Sequence, residues 1–187
     1  MPTLTVVAGA NGAGKSTLTK LSANNTPLID PDAIAKEIDP INPSAAAISA
    51  GKQALALSQQ YIQSESSFVV ETTLAGNTYL NLMREVKSRG WLVVLIYIGI
   101  DNPNINVLRV EDRVNLGGHD VPRSDILRRY ERSPANLNKA AKIVDRLILY
   151  DNSTNAGHQL VATRESNTVV IYQQELPKWI ELANLNL

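Results

Sequence analysis

Residues 9–17 read Gly9-Ala10-Asn11-Gly12-Ala13-Gly14-Lys15-Ser16-Thr17 and fill every fixed position of G-x-x-x-x-G-K-[ST]. Residues of these types at this spacing bind triphosphates. The glycines let successive backbone N–H groups point into one concavity, and a helix starting behind them adds its positive dipole end. Lys15 would reach the β- and γ-phosphates, and the Ser16 hydroxyl would sit on Mg²⁺. The context supports the pattern. An apolar run at 4–8 precedes it and a helix-compatible stretch at 16–21 follows, the strand, loop and helix order that the mechanism needs. ATP with Mg²⁺ is the expected cofactor.

Three further clusters could act on that phosphate. Asp30-Pro31-Asp32 follows the apolar pair Leu28-Ile29. Pro31 keeps its predecessor extended, so the two carboxylates can face the same way. A carboxylate beside the γ-phosphate could take the proton of an attacking hydroxyl, although Asp32 could equally cap a short helix over 33–38. Glu71-Thr72-Thr73 ends the run Phe68-Val69-Val70, at the place where many phosphate-loop enzymes hold Mg²⁺ through water. A solvated strand end with a threonine turn is the plainer alternative. Arg109, Arg113, Arg123, Arg128, Arg129 and Arg132 crowd one stretch, with Gly117-Gly118-His119-Asp120-Val121-Pro122 in its middle. Arg109 and Arg113, four apart, share a helix face. A flexible polar break between two arginine-bearing helices is the layout of a lid over a triphosphate, and the planar guanidinium suits phosphoryl oxygens. Acids in the same window, such as Asp125, would pair with part of this charge. Asn152, after a fifth apolar run, could touch the adenine edge or shape a turn.

The elements that must position these groups alternate. Strands are expected at 4–8, 28–29, 68–70, 92–98 and 147–150, with helical patterns at 44–63, 79–89, 104–116 and 122–130. Pro134 should break or restart the last of these. Such alternation predicts a parallel sheet with helices on both faces. Segments 158–162 and 168–172 form a hairpin candidate, and 176–182 a short final helix. The fold class expected is thus α/β, a P-loop NTPase fold: an open, mainly parallel sheet followed by a small C-terminal hairpin and helix. A single domain over 1–187, with a lid region at about 104–133, is the simplest division.

Eighteen basic residues balance eighteen acidic ones in the 187-residue chain, so no general attraction to nucleic acid or to an acidic membrane is expected. Cysteine is absent, which excludes disulfides and thiolate metal sites. The longest apolar run is too short to span a bilayer, and no leader pattern precedes the first strand, so a cytoplasmic protein is expected. Leu116-Gly117-Gly118-His119 faintly echoes the signature of ABC transporter ATPases. Its Ser and Gln positions are unfilled, and Asn152 stands where their catalytic glutamate follows the aspartate.

Taken together, the segments resemble the zeta-toxin family of phosphate-loop kinases, closest to its short bacterial branch. The resemblance lies in the phosphate loop, Ile29-Asp30-Pro31-Asp32, Glu71-Thr72-Thr73-Leu74-Ala75-Gly76, Arg109 to Arg113 with Gly117-Gly118-His119-Asp120-Val121-Pro122, and Tyr150-Asp151-Asn152-Ser153. It implies a kinase acting on a sugar hydroxyl of UDP-N-acetylglucosamine. It implies Asp32 as general base, Glu71 and Thr73 as substrate-binding residues, and a lid arginine at Arg109 or Arg113. A second lid arginine of the toxins falls near His119, a departure. The resemblance also implies an antitoxin partner.

The residues and the resemblance together predict a kinase that moves the γ-phosphate of ATP to a hydroxyl of a small molecule. Lys15, Asp32, Arg109 and Arg113 are its catalytic candidates. Gly9, Ala10, Asn11, Gly12, Ala13, Gly14, Lys15, Ser16, Thr17 and Asn152 are expected on ATP. Asp32, Glu71, Thr73 and His119 are expected on the acceptor, and Ser16, with Glu71 through water, on the metal. The alternative is a nucleotide-dependent switch or ATPase without an acceptor.

Overall fold

The computed structural model describes residues 1–21, 25–118 and 120–185. Seven strands form one sheet: β1 (Thr3–Ala8), β2 (Leu28–Ile29), β3 (Phe68–Thr72), β4 (Leu92–Gly99), β5 (Arg146–Asp151), β6 (Gln159–Glu165) and β7 (Thr168–Ile171), in the order β2-β3-β1-β4-β5-β6-β7. The first five are mutually parallel, and β6 and β7 add antiparallel at the edge. The C-terminal hairpin therefore extends the main sheet.

The helices are α1 (Lys15–Leu21), α2 (Pro31–Ile38), α3 (Ala47–Gln63), α4 (Thr78–Ser88), α5 (Pro103–Asn115), α6 (Arg123–Ala141) and α7 (Lys178–Leu182). Alternate strand residues divide the core between the two faces of the sheet. Leu4, Val6, Phe68, Val70, Leu95, Leu147 and Leu149 share one large cluster with apolar residues of α3, α4, α6 and α7. Val7 and Ile98 lie in a smaller one with Leu18 of α1 and Ile105 of α5. Burial of these strands on both sides explains their unbroken apolar character. Strand β1 lies between β3 and β4, where the strand order reverses, so the loop leaving it opens into the crevice used by ligands of open α/β sheets.

Two local expectations need correction. Pro134 does not break its helix: α6 runs through it from Arg123 to Ala141. A proline inside a helix costs about 3 kcal/mol, but packing holds this segment. Ser133 hydrogen-bonds the Tyr97 hydroxyl at 3.0 Å. Asn136 Nδ2 donates to the Leu74 carbonyl at 2.9 Å, and Leu137 and Ala140 are fully buried. The second correction concerns the acidic pair. The helix begins at Pro31, and its cap is Asp30, whose carboxylate accepts from the Asp32 backbone N–H at 2.9 Å. Proline at the first helical position sets the start two residues earlier than Asp32 would allow.

Candidate functional site

A cavity of about 890 Å³ opens over the carboxyl ends of β1 and β3. It is walled by α1, by the start of α2, by one face of α3 and by α5 and α6. Lysines and arginines outnumber carboxylates around it, although the whole chain has no net charge. The positive charge is thus concentrated where a triphosphate would sit.

The phosphate loop is held from three directions. Asn152, buried at the end of β5, donates from Nδ2 to the Ala13 carbonyl at 2.9 Å. His158 Nε2 lies 3.1 Å from the Gly14 carbonyl. From α5, the fully buried Asn106 donates to the Asn11 carbonyl at 2.6 Å. Gly12 has φ +76°, and a Cβ there would stand 2.6 Å from the Asn106 carbonyl oxygen. Only glycine meets both the left-handed backbone and this close approach. From α6, Arg129 Nη1 donates to Asn11 Oδ1 at 3.0 Å. Asn152 thus braces the loop through its side chain, a contact that neither the adenine nor the turn alternative included.

Lys15 curls onto its own loop, with Nζ donating to Gly9 and Ala10 carbonyls at 2.9 and 3.2 Å. Burial lowers the pKa of its ammonium. The carboxylates of Asp32, Glu71 and Asp30 oppose that, and the Arg113 charge adds to it. The four groups whose charge Lys15 feels are the acidic and lid residues singled out in the sequence. Behind it, Glu71 is buried at the end of β3 and accepts from Ser16 Oγ at 2.8 Å and Thr19 Oγ1 at 2.5 Å. Thr19 escaped the sequence reading. Its signal is the four-residue step from Lys15, which puts both on one face of α1.

Thr73 lines the cavity beside Glu71. The next residue, Leu74, is buried with φ +55°, an unfavourable backbone for a branched side chain. Its N–H donates to Thr72 Oγ1 at 3.0 Å, and its carbonyl accepts from Asn136 of α6. These bonds fix the turn that presents Thr73.

Asp32 is exposed on the first turn of α2 and lines the cavity. Asp30 is raised above its ordinary value of 3.8 by burial and then by the neighbouring Glu71 and Asp32 carboxylates. Burial, with Asp30 adding to it, pushes the Tyr79 phenol up to about 12, so Tyr79 is a neutral donor at this wall. The raised pKa of Asp30 has a stability consequence. Below 3.8 the carboxyl is neutral folded or unfolded and costs nothing. As pH rises the unfolded chain ionises first, and the destabilisation grows until pH passes the folded pKa. Asp30→Asn keeps a good cap and removes the charge. It should raise the melting temperature at pH 7, and the difference should vanish below pH 3.8. Melting curves at both pH values check it.

The arginines separate into roles. Arg109 donates to the backbone carbonyls of Asn152 at 2.9 Å and Thr154 at 3.4 Å. Arg128 and Arg129 pair with Asp125 at 2.7 and 3.6 Å. Arg109, Arg113, Arg128, Arg129 and Arg132 all line the cavity, whereas Arg123 is not among its lining residues and donates to Asn104 Oδ1 at 3.5 Å. Helices α5 and α6 clasp through Val107, Val110, Val121 and Ile126. His119, expected on the acceptor, lies outside the described residues. Asn106, His158 and Lys52 also lie at the site or its supports without having been singled out.

Strand order, loop position and helix placement define a mononucleotide-binding fold of the P-loop kinase type. Residues 1–176 match the zeta toxin family, and the chain belongs to that family. An uncharacterized protein of Haemophilus influenzae is 40% identical over 123 residues, 65% of this chain and 88% of its own. Among solved structures, the AvrRxo1-ORF1:-ORF2 complex with ATP superposes with a TM-score of 0.77 at 16% identity, over 100% of this chain and 65% of that one. A structure from the PezAT toxin–antitoxin system of Streptococcus pneumoniae gives 0.64 at 19% identity, over 90% and 74%. The chain spans just under two thirds of the AvrRxo1-ORF1 neighbour's length. No helix among the described residues is long and apolar enough to cross a membrane.

Proposed function

We propose that the chain is a single kinase domain that moves the γ-phosphate of ATP to a hydroxyl of a small molecule in the cytoplasm. The observation that carries this reading is Asp32: a carboxylate released from capping by Asp30, across the same cavity from Lys15. A pure nucleotide switch has no use for such a base. The loop 9–17 would wrap the phosphates with its N–H groups. Lys15 would leave the Gly9 and Ala10 carbonyls for the β- and γ-phosphates. Asp32 would orient the acceptor hydroxyl and take its proton. Thr73 and Glu71 would hold the acceptor, with His119 as a further candidate, and Asn152 would keep the ATP loop in shape. Arg113 or Arg109 would meet the charge of the transferring group.

The donor set fits Mg²⁺. Ser16 offers a hydroxyl, and Glu71, 2.8 Å behind it, offers a carboxylate that can act through water. No group of three or more His, Cys, Asp or Glu among the described residues could hold a metal by itself. That suits an ion carried largely by phosphate oxygens. When bound, Mg²⁺ neutralises charge developing on the phosphates.

A nucleotide sugar such as UDP-N-acetylglucosamine is the first acceptor to test. A protein antitoxin that covers the cavity is a fitting partner, since the neighbours include a toxin–antitoxin system. Incubation with γ-labelled ATP, Mg²⁺ and a panel of nucleotide sugars and other hydroxyl metabolites should put label on one class of acceptor. ADP and free phosphate at the same rate with and without every acceptor would support the ATPase alternative.

A further inference from the structure

The C-terminal helix α7 (Lys178–Leu182) lies just beyond the end of the family match at residue 176, yet its Trp179 shares a void with Ala10 and Ala13 of the phosphate loop. Trp179 is 1% exposed. Its ring lies over Gly99, where a Cβ would come within 2.1 Å of the indole. It also packs on Tyr97 at 5.5 Å between centroids. On its other side the ring borders a small apolar void of about 10 Å³ shared with Ala10 and Ala13 of the loop and with Tyr130 and Pro134 of α6. That is about the least space one water needs, and its apolar walls offer water few partners. Trp179 is therefore part of the floor beneath the phosphate loop.

The polar contacts close a ring. The Trp179 backbone N–H donates to Asp101 Oδ1 at 3.0 Å. The Asp101 N–H donates to Ser153 Oγ at 2.9 Å. Ser153 Oγ donates to Asp151 Oδ1 at 2.6 Å, and Trp179 Nε1 donates to the same oxygen at 3.0 Å. Between Asp151 and Ser153 lies Asn152, whose amide holds Ala13 and whose carbonyl takes Arg109. Tyr130 of α6 donates to the Ile100 and Asp101 carbonyls at 2.9 Å. The ends of β4 and β5 thus tie α7, the loop and both arginine helices together. Buried networks of this kind hold their members in one arrangement only when every donor is in place.

We propose that Trp179 is a positioning residue for nucleotide binding, holding Asp151 and Asn152, and through them the loop at Ala13, in the ATP-ready geometry. The proposal rests on the loop being the ATP site. It is tested by binding alone, so absence of an acceptor leaves it standing or falling on its own result. Trp179→Phe keeps most of the ring and removes the N–H donor. A hydrogen bond to a charged group contributes about 1.5 kcal/mol, so the ATP dissociation constant, read by calorimetry on the full chain, should rise about tenfold. Ser153→Ala opens the same ring at a less buried point and should act in the same direction. The double variant should weaken binding no more than Trp179→Phe alone, because both break one network.

A second readout uses both tryptophans, Trp91 and Trp179, labelled with 5-fluorotryptophan and assigned through Trp91→Phe. Trp91 precedes β4, at the opposite end of the sheet. ATP should shift the Trp179 ¹⁹F resonance and leave that of Trp91 in place. ATP affinity within twofold of wild type in a folded Trp179→Phe protein would overturn the proposal. Additive losses in the double variant, or a Trp179 resonance unmoved by saturating ATP, would overturn it as well.

Discussion

Asp32→Asn should cut phosphoryl transfer about a thousandfold, within the usual span for loss of a general base, while ATP binds as well as before or better. The substitution keeps size and shape but cannot take the acceptor's proton. Helix α2 should survive it, because the cap is Asp30 and the bond it accepts comes from the backbone N–H of residue 32, which any side chain retains. Lys15 keeps Glu71 and Asp30 as counter-charges. Removing one carboxylate from the cavity also reduces repulsion of the triphosphate. Titration with ATP and a transfer assay on the same preparation separate the two quantities. Undiminished transfer would take Asp32 out of the mechanism. Equal losses of binding and transfer would make it a binding residue.

The Asp30–Asp32 pair also marks how far the sequence could be read. The loop was legible because its chemistry is local: glycines, lysine and serine act within one strand-to-helix turn, and so do the apolar runs of the parallel strands. Glu71 was legible as a polar residue ending an apolar strand. Its partners Ser16 and Thr19, more than fifty positions away, depend on β3 lying beside β1, which no local pattern states. The cap on α2 was misassigned by two residues because proline at the first helical position outweighs the next carboxylate. Pro134 was read as a helix end because local propensity cannot see Tyr97, Leu74 and the buried face of α6. Asn106 and His158 carry no spacing signal at all, and Arg129 carries only its place in the arginine-rich stretch. They matter through contacts with loop residues 95, 118 and 144 positions away in the chain.

The two lid arginines left open by the sequence should part in experiment. Arg109 is committed to the carbonyls of Asn152 and Thr154, on the framework behind the loop. Both arginines line the cavity, but it is the charge of Arg113, one turn further along α5, that reaches Lys15. The neighbouring glycine serves it. The Gly118 N–H donates to the Arg113 carbonyl at 2.8 Å, and a Cβ on Gly118 would stand 2.5 Å from Arg113 Cγ. The glycine pair after α5 therefore lets the chain turn back across the arginine without displacing its side chain. Arg113→Gln should lower the transfer rate about a thousandfold, the lower end of the range for arginines that meet a transferring phosphoryl group. Arg109→Gln should chiefly destabilise, by about 1–2 kcal/mol for bonds lost from a charged donor, or roughly 2–8 °C in a chain of this size. It should retain most of its rate at temperatures where it stays folded. Single-turnover rates and melting curves for both variants decide the matter. A larger loss of rate in Arg109→Gln than in Arg113→Gln would reverse the assignment and place the phosphate-facing charge one turn nearer the start of α5.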